Sequence, residues 1–204
     1  AQRSDSLVEP VEPHLRTLES LGLIRLLQEH PELAYLFRHA LIQEAAYSSL
    51  TRRHRQSLHQ AIGRILEELN PESRDEVADL LAYHFAAAGD TEKAVPYSHI
   101  AAERALSTYA YDEAILHLRR ALDLTGSESP PETRSRLLEA LGDIYALLHQ
   151  GNLAISVYQQ ALAEWERQPS ADRADAIRLH RKVVQAGAES KWAVDRDTLR
   201  RFNQ

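Results

Sequence analysis

Two clusters of imidazole and guanidinium groups, Arg38-His39 and Arg52-Arg53-His54-Arg55, bracket an apolar run within the stretch Phe37 to His59. Side chains of these types could ligate a transition metal, neutralise phosphates, or meet a carboxylate-rich neighbour. The metal reading fails on spacing. His54 and His59 are the closest pair among the ten histidines, and five residues on a helix place them about 140° apart, whereas ligands sharing a face sit three or four apart. The phosphate reading has more substance, because Arg52, Arg53, Arg55 and Arg64 lie in a run from Thr51 to Arg64 that contains no acid. Six acids follow at once, Glu67, Glu68, Glu72, Asp75, Glu76 and Asp79, against Arg74. A charge match inside the protein, with Arg38, Arg52, Arg53 and Arg55 facing a neighbouring module, accounts for the run more economically.

Signatures of catalysis are missing. The seven glycines include no pair five apart and none two apart, which excludes a G-x-x-x-x-G-K-[ST] phosphate loop and a dinucleotide fingerprint. No G-x-S-x-G elbow occurs. With no cysteine there are no disulfides, thiolate nucleophiles or thiolate metal sites, which suits a cytoplasmic protein. The remaining carboxylates fall on polar helix faces, where ion pairs and solubility explain them. The expectation is a non-enzyme with no catalytic residue, no metal and no cofactor of its own. A net charge of −6 argues against a general nucleic-acid or anionic-membrane binder, and no apolar run reaches membrane-spanning length. Opening on Ala1-Gln2 with no methionine anywhere, the chain reads as a piece of a longer polypeptide.

The elements that must carry these residues are mostly helical, as a composition rich in alanine, leucine, glutamate and arginine favours. A first helix over "HLRTLESLGLI" stops at Gly22, and "IRLL" and "LAYLFR" read as two short strands joined by a turn on Pro31. Helices follow over "ALIQEAAYSSL", over a segment capped by Thr51 and ended by Asn70-Pro71, and over "DEVADLLAYHFAAAG", closed at Gly89. In the Thr51 helix Leu58, Ile62, Ile65, Leu66 and Leu69 form the apolar face. Phe37, Leu41, Ile42 and Leu50 anchor the stretch before it. Pro96 kinks the next helix or marks its start, and "YDEAILHLRRALDL" runs into the loop "TGSESPPE". This divides the chain into residues 1–39, a connecting stretch 40–71, and helical repeats over 72–204.

Leu138, Leu141, Gly142 and Tyr145, followed by Ala154, Tyr158 and Ala161, resemble the tetratricopeptide repeat in spacing. Leu138 stands where the repeat has Trp, Tyr158 where it has Phe, and Glu166 where it has its closing Pro. Forty residues upstream the pattern recurs as Ala101, Ala102 and Ala105, then Ala114, Leu118 and Ala121. Residues 171–187 would start another repeat. The resemblance implies an α-α superhelix of helix pairs whose first helices line a binding groove. Its groove positions here would be His99, Glu103 and Leu106, then Arg136, Glu139, Asp143 and Ala146. That face is mostly acidic, so a basic or mixed-charge peptide is the expected ligand, and Tyr145, Tyr158 and Trp165 read as packing.

The order of elements resembles the C-terminal half of signal-transducing P-loop ATPases of the STAND class, including those fused to a cyclase domain, a kinase or a transcription factor. The segments that carry this likeness are Phe37-Arg38-His39-Ala40-Leu41, Ala46-Tyr47-Ser48-Ser49-Leu50, Arg55 with Leu58-His59, and Ala82-Tyr83-His84-Phe85 before Gly89-Asp90. It covers His14 to Leu162 and implies a partial winged helix with its short β-ribbon at the N-terminus, then a non-catalytic arm that binds a protein or peptide, or the ATPase core of its own parent. In some relatives a histidine near the end of the winged helix contacts the nucleotide phosphates, a place His39 would occupy. The competing reading of His39 is a junction residue that caps a helix. A DNA-binding regulator using the winged helix and the Arg52–Arg64 stretch is the alternative function, against which the first helix offers only Arg16, opposed by Glu19.

Overall fold

A computed structural model describes residues 11–28, 34–126, 129–167 and 173–202, with residue 173 and residues 189–202 described by backbone alone. The chain divides into two compact units, Ala1–Arg55 and Gln56–Gln204. The division falls inside the stretch 40–71 that the sequence set apart as connecting helices.

The first unit is mainly backbone architecture with little core. Helix α1 (Val11–Ser20) is followed by an antiparallel pair, β1 (Ile24–Gln28) and β2 (Ala34–Phe37), with Ile24 opposite Phe37 and Leu26 opposite Tyr35. Gly22 ends α1 as expected. It takes a positive φ of 70°, its N–H donates to the Glu19 carbonyl, and the Leu23 N–H donates to the Leu18 carbonyl, the paired closure that a left-handed residue makes available. The turn expected at Pro31 lies outside the described residues. Helix α2 (Ala40–Ser49) buries no residue. Leu41 stays 78% exposed and Phe37 43%, so neither anchors a core within this unit; Ile42 and Leu50 are half-buried. Ile24 alone among the unit's described residues is fully buried.

Helix α3 (Arg52–Leu69) runs from the first unit into the second, and the Thr51 hydroxyl accepts from the His54 N–H at its start. Its packed face agrees with the one the sequence suggested only at Leu66. Leu58, Ile62, Ile65 and Leu69 remain 40% to 70% exposed, whereas His59 and Gly63 are buried and Leu66 is half-buried. The two stripes lie one residue apart, and steric fit decides between them. A Cβ on Gly63 would come within 2.9 Å of the Phe85 ring, so only a glycine lets α3 approach the next helix there.

A 3₁₀ turn (Arg74–Val77) leads into α4 (Ala78–Ala88), then α5 (Thr91–Ser107) and α6 (Tyr111–Leu124), α7 (Pro131–Leu147) and α8 (Gly151–Glu166), and α9 (Arg173–Phe202). Pro96 sits inside α5 and neither starts nor ends it. Packed helices joined by two- or three-residue turns must run antiparallel, which fixes α4 against α5, α5 against α6 and α7 against α8. The architecture is mainly α with one small two-stranded sheet.

The forty-residue recurrence is geometric as well as sequential. Helix α5 ends at Ser107 and α7 at Leu147; α6 starts at Tyr111 and α8 at Gly151. Both turns close the same way. Tyr109 and His149 take positive φ of 60° and 57°, and the residue after each donates its N–H five residues back, Ala110 to Ala105 and Gln150 to Tyr145, each at 2.8 Å. The residues that carried the pattern form the core: Ala101, Ala102, Ala105, Ala114, Leu118 and Ala121, then Leu138, Leu141, Gly142, Tyr145, Ala154, Tyr158 and Ala161 are all buried.

Candidate functional site

The side chains expected to line a groove fall on α5 and α7, where they do three different things. His99 and Glu103 sit one turn apart on α5, with Nδ1 and a carboxylate oxygen 3.8 Å apart. Leu106 is half-buried and packs against the core. On α7, Arg136 reaches back to Glu132 at 2.6 Å and is well exposed. Glu139 and Asp143 are engaged by α9. Arg178 donates to both Glu139 oxygens at 2.8 and 3.0 Å, and Lys182 donates to both Asp143 oxygens at 2.7 Å and reaches Glu139 at 2.8 Å. Tyr158 adds a hydroxyl donated to Asp143 at 2.7 Å.

Burial alone would raise the Glu139 carboxyl, but the hydrogen bonds and charges of Arg178 and Lys182 outweigh it and hold the group below the ordinary carboxylate range. At Glu139 and Asp143 the acidic face read from the sequence is therefore neutralised by α9. The reason it was misread is a period. Glu139 to Arg178 and Asp143 to Lys182 are both separations of 39 residues, close to one repeat. Opposite charges recurring at that interval are the signal that could have found the pairing.

The Arg-His stretch is placed less tightly. Arg38 donates its backbone N–H to the Leu23 carbonyl, continuing the strand pairing, while its side chain, Arg52 and Arg53 are exposed. Arg55 is half-buried with its guanidinium 5.0 Å from the centre of the Tyr47 ring, a cation–π contact within the first unit. His39 has extended backbone (φ −137°, ψ 133°) and starts α2 through its carbonyl, which accepts from Ile42 and Gln43; its side chain makes no capping hydrogen bond and is exposed. Within the acidic stretch Glu67 is already committed, since Lys93 pairs with it and Tyr97 donates its hydroxyl at 2.7 Å. Burial and that bond push the Tyr97 phenol up to about 12.

One pair escaped the sequence reading entirely. His59 on α3 and His84 on α4 bring their Nδ1 atoms to 3.0 Å, with the Tyr83 ring edge-on to both. Twenty-five residues separate them, and nothing in their spacing announces it. Ring centroids 5.1 Å apart for nitrogens 3.0 Å apart mean that the rings meet nearly head-on. The lone pairs then point at one another instead of converging on a third point, which is the geometry of an N–H···N hydrogen bond and not of a chelate. No group of three or more histidine or carboxylate side chains among the described residues could hold a metal ion.

Such a bond needs one imidazole to accept, so it survives only while at least one ring is neutral. Burial holds both rings below the ordinary histidine value of 6.5, and the His59 charge adds to the effect at His84. A depressed folded-state value means stability that is complete above the unfolded value and is lost as the pH falls through the folded one. Thermal melts from about pH 7.5 to about pH 5.5 are expected to show a falling Tm, in a window above the carboxylate range. The slope should flatten in His59→Gln/His84→Gln, the remainder belonging to His117, whose imidazole burial and the Arg120 charge also lower. An unchanged slope in the double variant would remove the pair from the account.

Comparison with known proteins adds one relative. No family model matches the chain, and no solved structure matches it. An uncharacterized protein of Rhizobium meliloti (strain 1021) is 31% identical over 167 residues, covering 77% of this chain and 16% of that protein. The chain thus spans about a sixth of that relative's length.

Proposed function

We propose that this chain is a non-catalytic regulatory arm of a multidomain signalling ATPase, in which tetratricopeptide-like helix pairs form a superhelix that binds a protein or peptide. The observation that carries the reading is the forty-residue recurrence of helix ends, left-handed turns and buried small residues between α5–α6 and α7–α8. Repeating pairs bury a continuous core only by stacking on one another, and the polar face left over is what such repeats use for recognition. The ion pairs from α7 to α9 fit this logic, because they join equivalent helices one period apart. The element order α1–β1–β2 before the helices supports a partial winged helix at the N-terminus, and a relative of which the matched stretch is only 16% supports an arm within a larger polypeptide. Such an arm works in the cytoplasm and needs no cofactor of its own. Its groove presents His99, Glu103 and Arg136, of mixed charge, in place of a mostly acidic surface.

Nucleotide binding tests the ATPase half of this reading. The complete natural polypeptide is expected to bind ATP or ADP, and titration of its His39→Ala variant would tell whether that side chain touches the phosphates. Unchanged ADP affinity in the variant would leave His39 as the residue that starts α2 and no more.

A further inference from the structure

The first helix pair is built like the second but with its large side chains removed, and the space is left open. One period apart, Ser98 stands where α7 has Leu138, Ala101 where it has Leu141, and Ala105 where it has Tyr145. The three small side chains are themselves buried, and space remains beside them. Two cavities result, one of about 410 Å³ floored by Ala82, Ala86, Ala87, Ser98 and Leu124, and one of about 250 Å³ over Ala101 and Ala105; His117 of α6 lines both. The larger is mostly apolar, with Arg120 and Asp123 supplying one charge of each sign. The smaller is ringed by carboxylates: Glu76 in the 3₁₀ turn, Asp79 in the first turn of α4 and Glu113 on α6, against Arg104, which donates to the Asp75 carbonyl at 3.1 Å. No ion pair among the described residues engages those three acids.

We propose that this double cavity between α4, α5 and α6 is a second recognition site, distinct from the groove positions His99, Glu103 and Arg136, and that it takes a peptide segment of a partner protein carrying a basic side chain close to a large apolar one. Three uncompensated carboxylates beside one arginine select a cation, and an alanine-lined hollow of ligand-pocket size selects an apolar group that would otherwise face water. Each feature alone is common. Their juxtaposition across His117, in a helix pair where serine and alanine stand at three positions that α7 fills with Leu138, Leu141 and Tyr145, is what specifies the ligand. The site does not depend on nucleotide binding elsewhere in the polypeptide, so the two proposals fail separately.

The probe is a set of short synthetic peptides with one lysine and one leucine at separations of one to four residues, titrated into the isotope-labelled 204-residue chain and followed by amide shifts. At least one spacing is expected to bind below millimolar concentration and to move the resonances of Ala86, Ala87, Glu113 and His117. Exchanging the lysine for glutamate or the leucine for serine should abolish those shifts. Asp79→Lys/Glu113→Lys should weaken binding by about tenfold, the scale for reversing two partly exposed charges. Asp79→Asn/Glu113→Gln carries the same test should the reversed variant unfold. Absence of binding at every spacing, or binding indifferent to the loss of both carboxylates, would overturn the proposal.

Discussion

Replacing Phe85 with alanine is expected to cost about 3–5 kcal/mol of stability, the range for deleting a buried phenylalanine that its surroundings cannot collapse around. Phe85 is fully buried and is the largest such side chain among the described residues. Its ring stacks on Tyr97 with centroids 5.8 Å apart, lies under the Lys93 ammonium at 4.8 Å, and fills the notch left by Gly63. It belongs to a small cluster with Leu81 and Ala94, against which Leu66 of α3 packs. Leu81 is the other large buried residue there. Loss of the ring therefore removes apolar contact between α3 and α4, leaving the His59–His84 hydrogen bond and the polar ties of Gln60 to Asp90 and of Glu67 to Lys93 and Tyr97 of α5. Denaturant unfolding would read the stability change, and hydrogen exchange would locate it. Exchange should accelerate in α3 and α4 before α7 and α8. A loss below about 1 kcal/mol, typical of surface positions, would mean that α3 is not docked through this ring.

The second large effect is expected at Gly142. A Cβ there would sit 2.5 Å from Cε1 and 2.6 Å from Cδ1 of Tyr158. That ring is 3% exposed and its hydroxyl is tied to Asp143, so it has nowhere to swing. Alanine improves helix propensity over glycine by about 1 kcal/mol. Forcing α7 and α8 apart costs more, and the net loss for Gly142→Ala is expected at about 1–3 kcal/mol, the usual scale of overpacking. Gly187→Ala in α9 is the matched control. Its Cβ would meet only Ile155 at 3.9 Å, an ordinary contact, so propensity alone should act and the variant should be as stable as the parent or more so. Each kcal/mol corresponds to about 2–4 °C in Tm for a chain of this size. If both variants melted alike, the close approach of α7 and α8 at Gly142 would be wrong.

These two glycine-aromatic contacts mark how far the sequence could be read. Gly142 was legible because its partner Tyr158 lies at a spacing the repeat pattern makes visible. Gly63 was not, because Phe85 belongs to another helix and no periodicity links the two. The apolar positions of α3 therefore pointed to Leu58, Ile62, Ile65, Leu66 and Leu69, of which Leu66 packs and the other four lie one residue round from the packed face. Boundaries set by local chemistry came through well: Thr51 before α3, Asn70-Pro71 after it, Gly22 and Gly89 with their positive φ, and α6 over Tyr111–Leu124. Side-chain partnerships did not, because they depend on which helices stack. Glu139 and Asp143 looked like ligand-facing acids until α9 brought Arg178 and Lys182 to them. His59 and His84 looked unrelated for the same reason. Tyr109 and His149 are a different case. Each holds a left-handed conformation that costs a non-glycine residue roughly 1–2 kcal/mol, and the sequence gives no local cue because the three-residue turns, not the side chains, impose it.

The measurement that bears most directly on the proposed arm is hydrogen exchange across the complete natural polypeptide, with and without MgATP. The expected result is nucleotide binding outside this chain together with a change in protection over residues 37–59, where the proposed arm would meet its neighbouring module. A polypeptide that binds no nucleotide, or one that binds it with exchange in that stretch unaltered, would contradict a regulatory arm coupled to an ATPase.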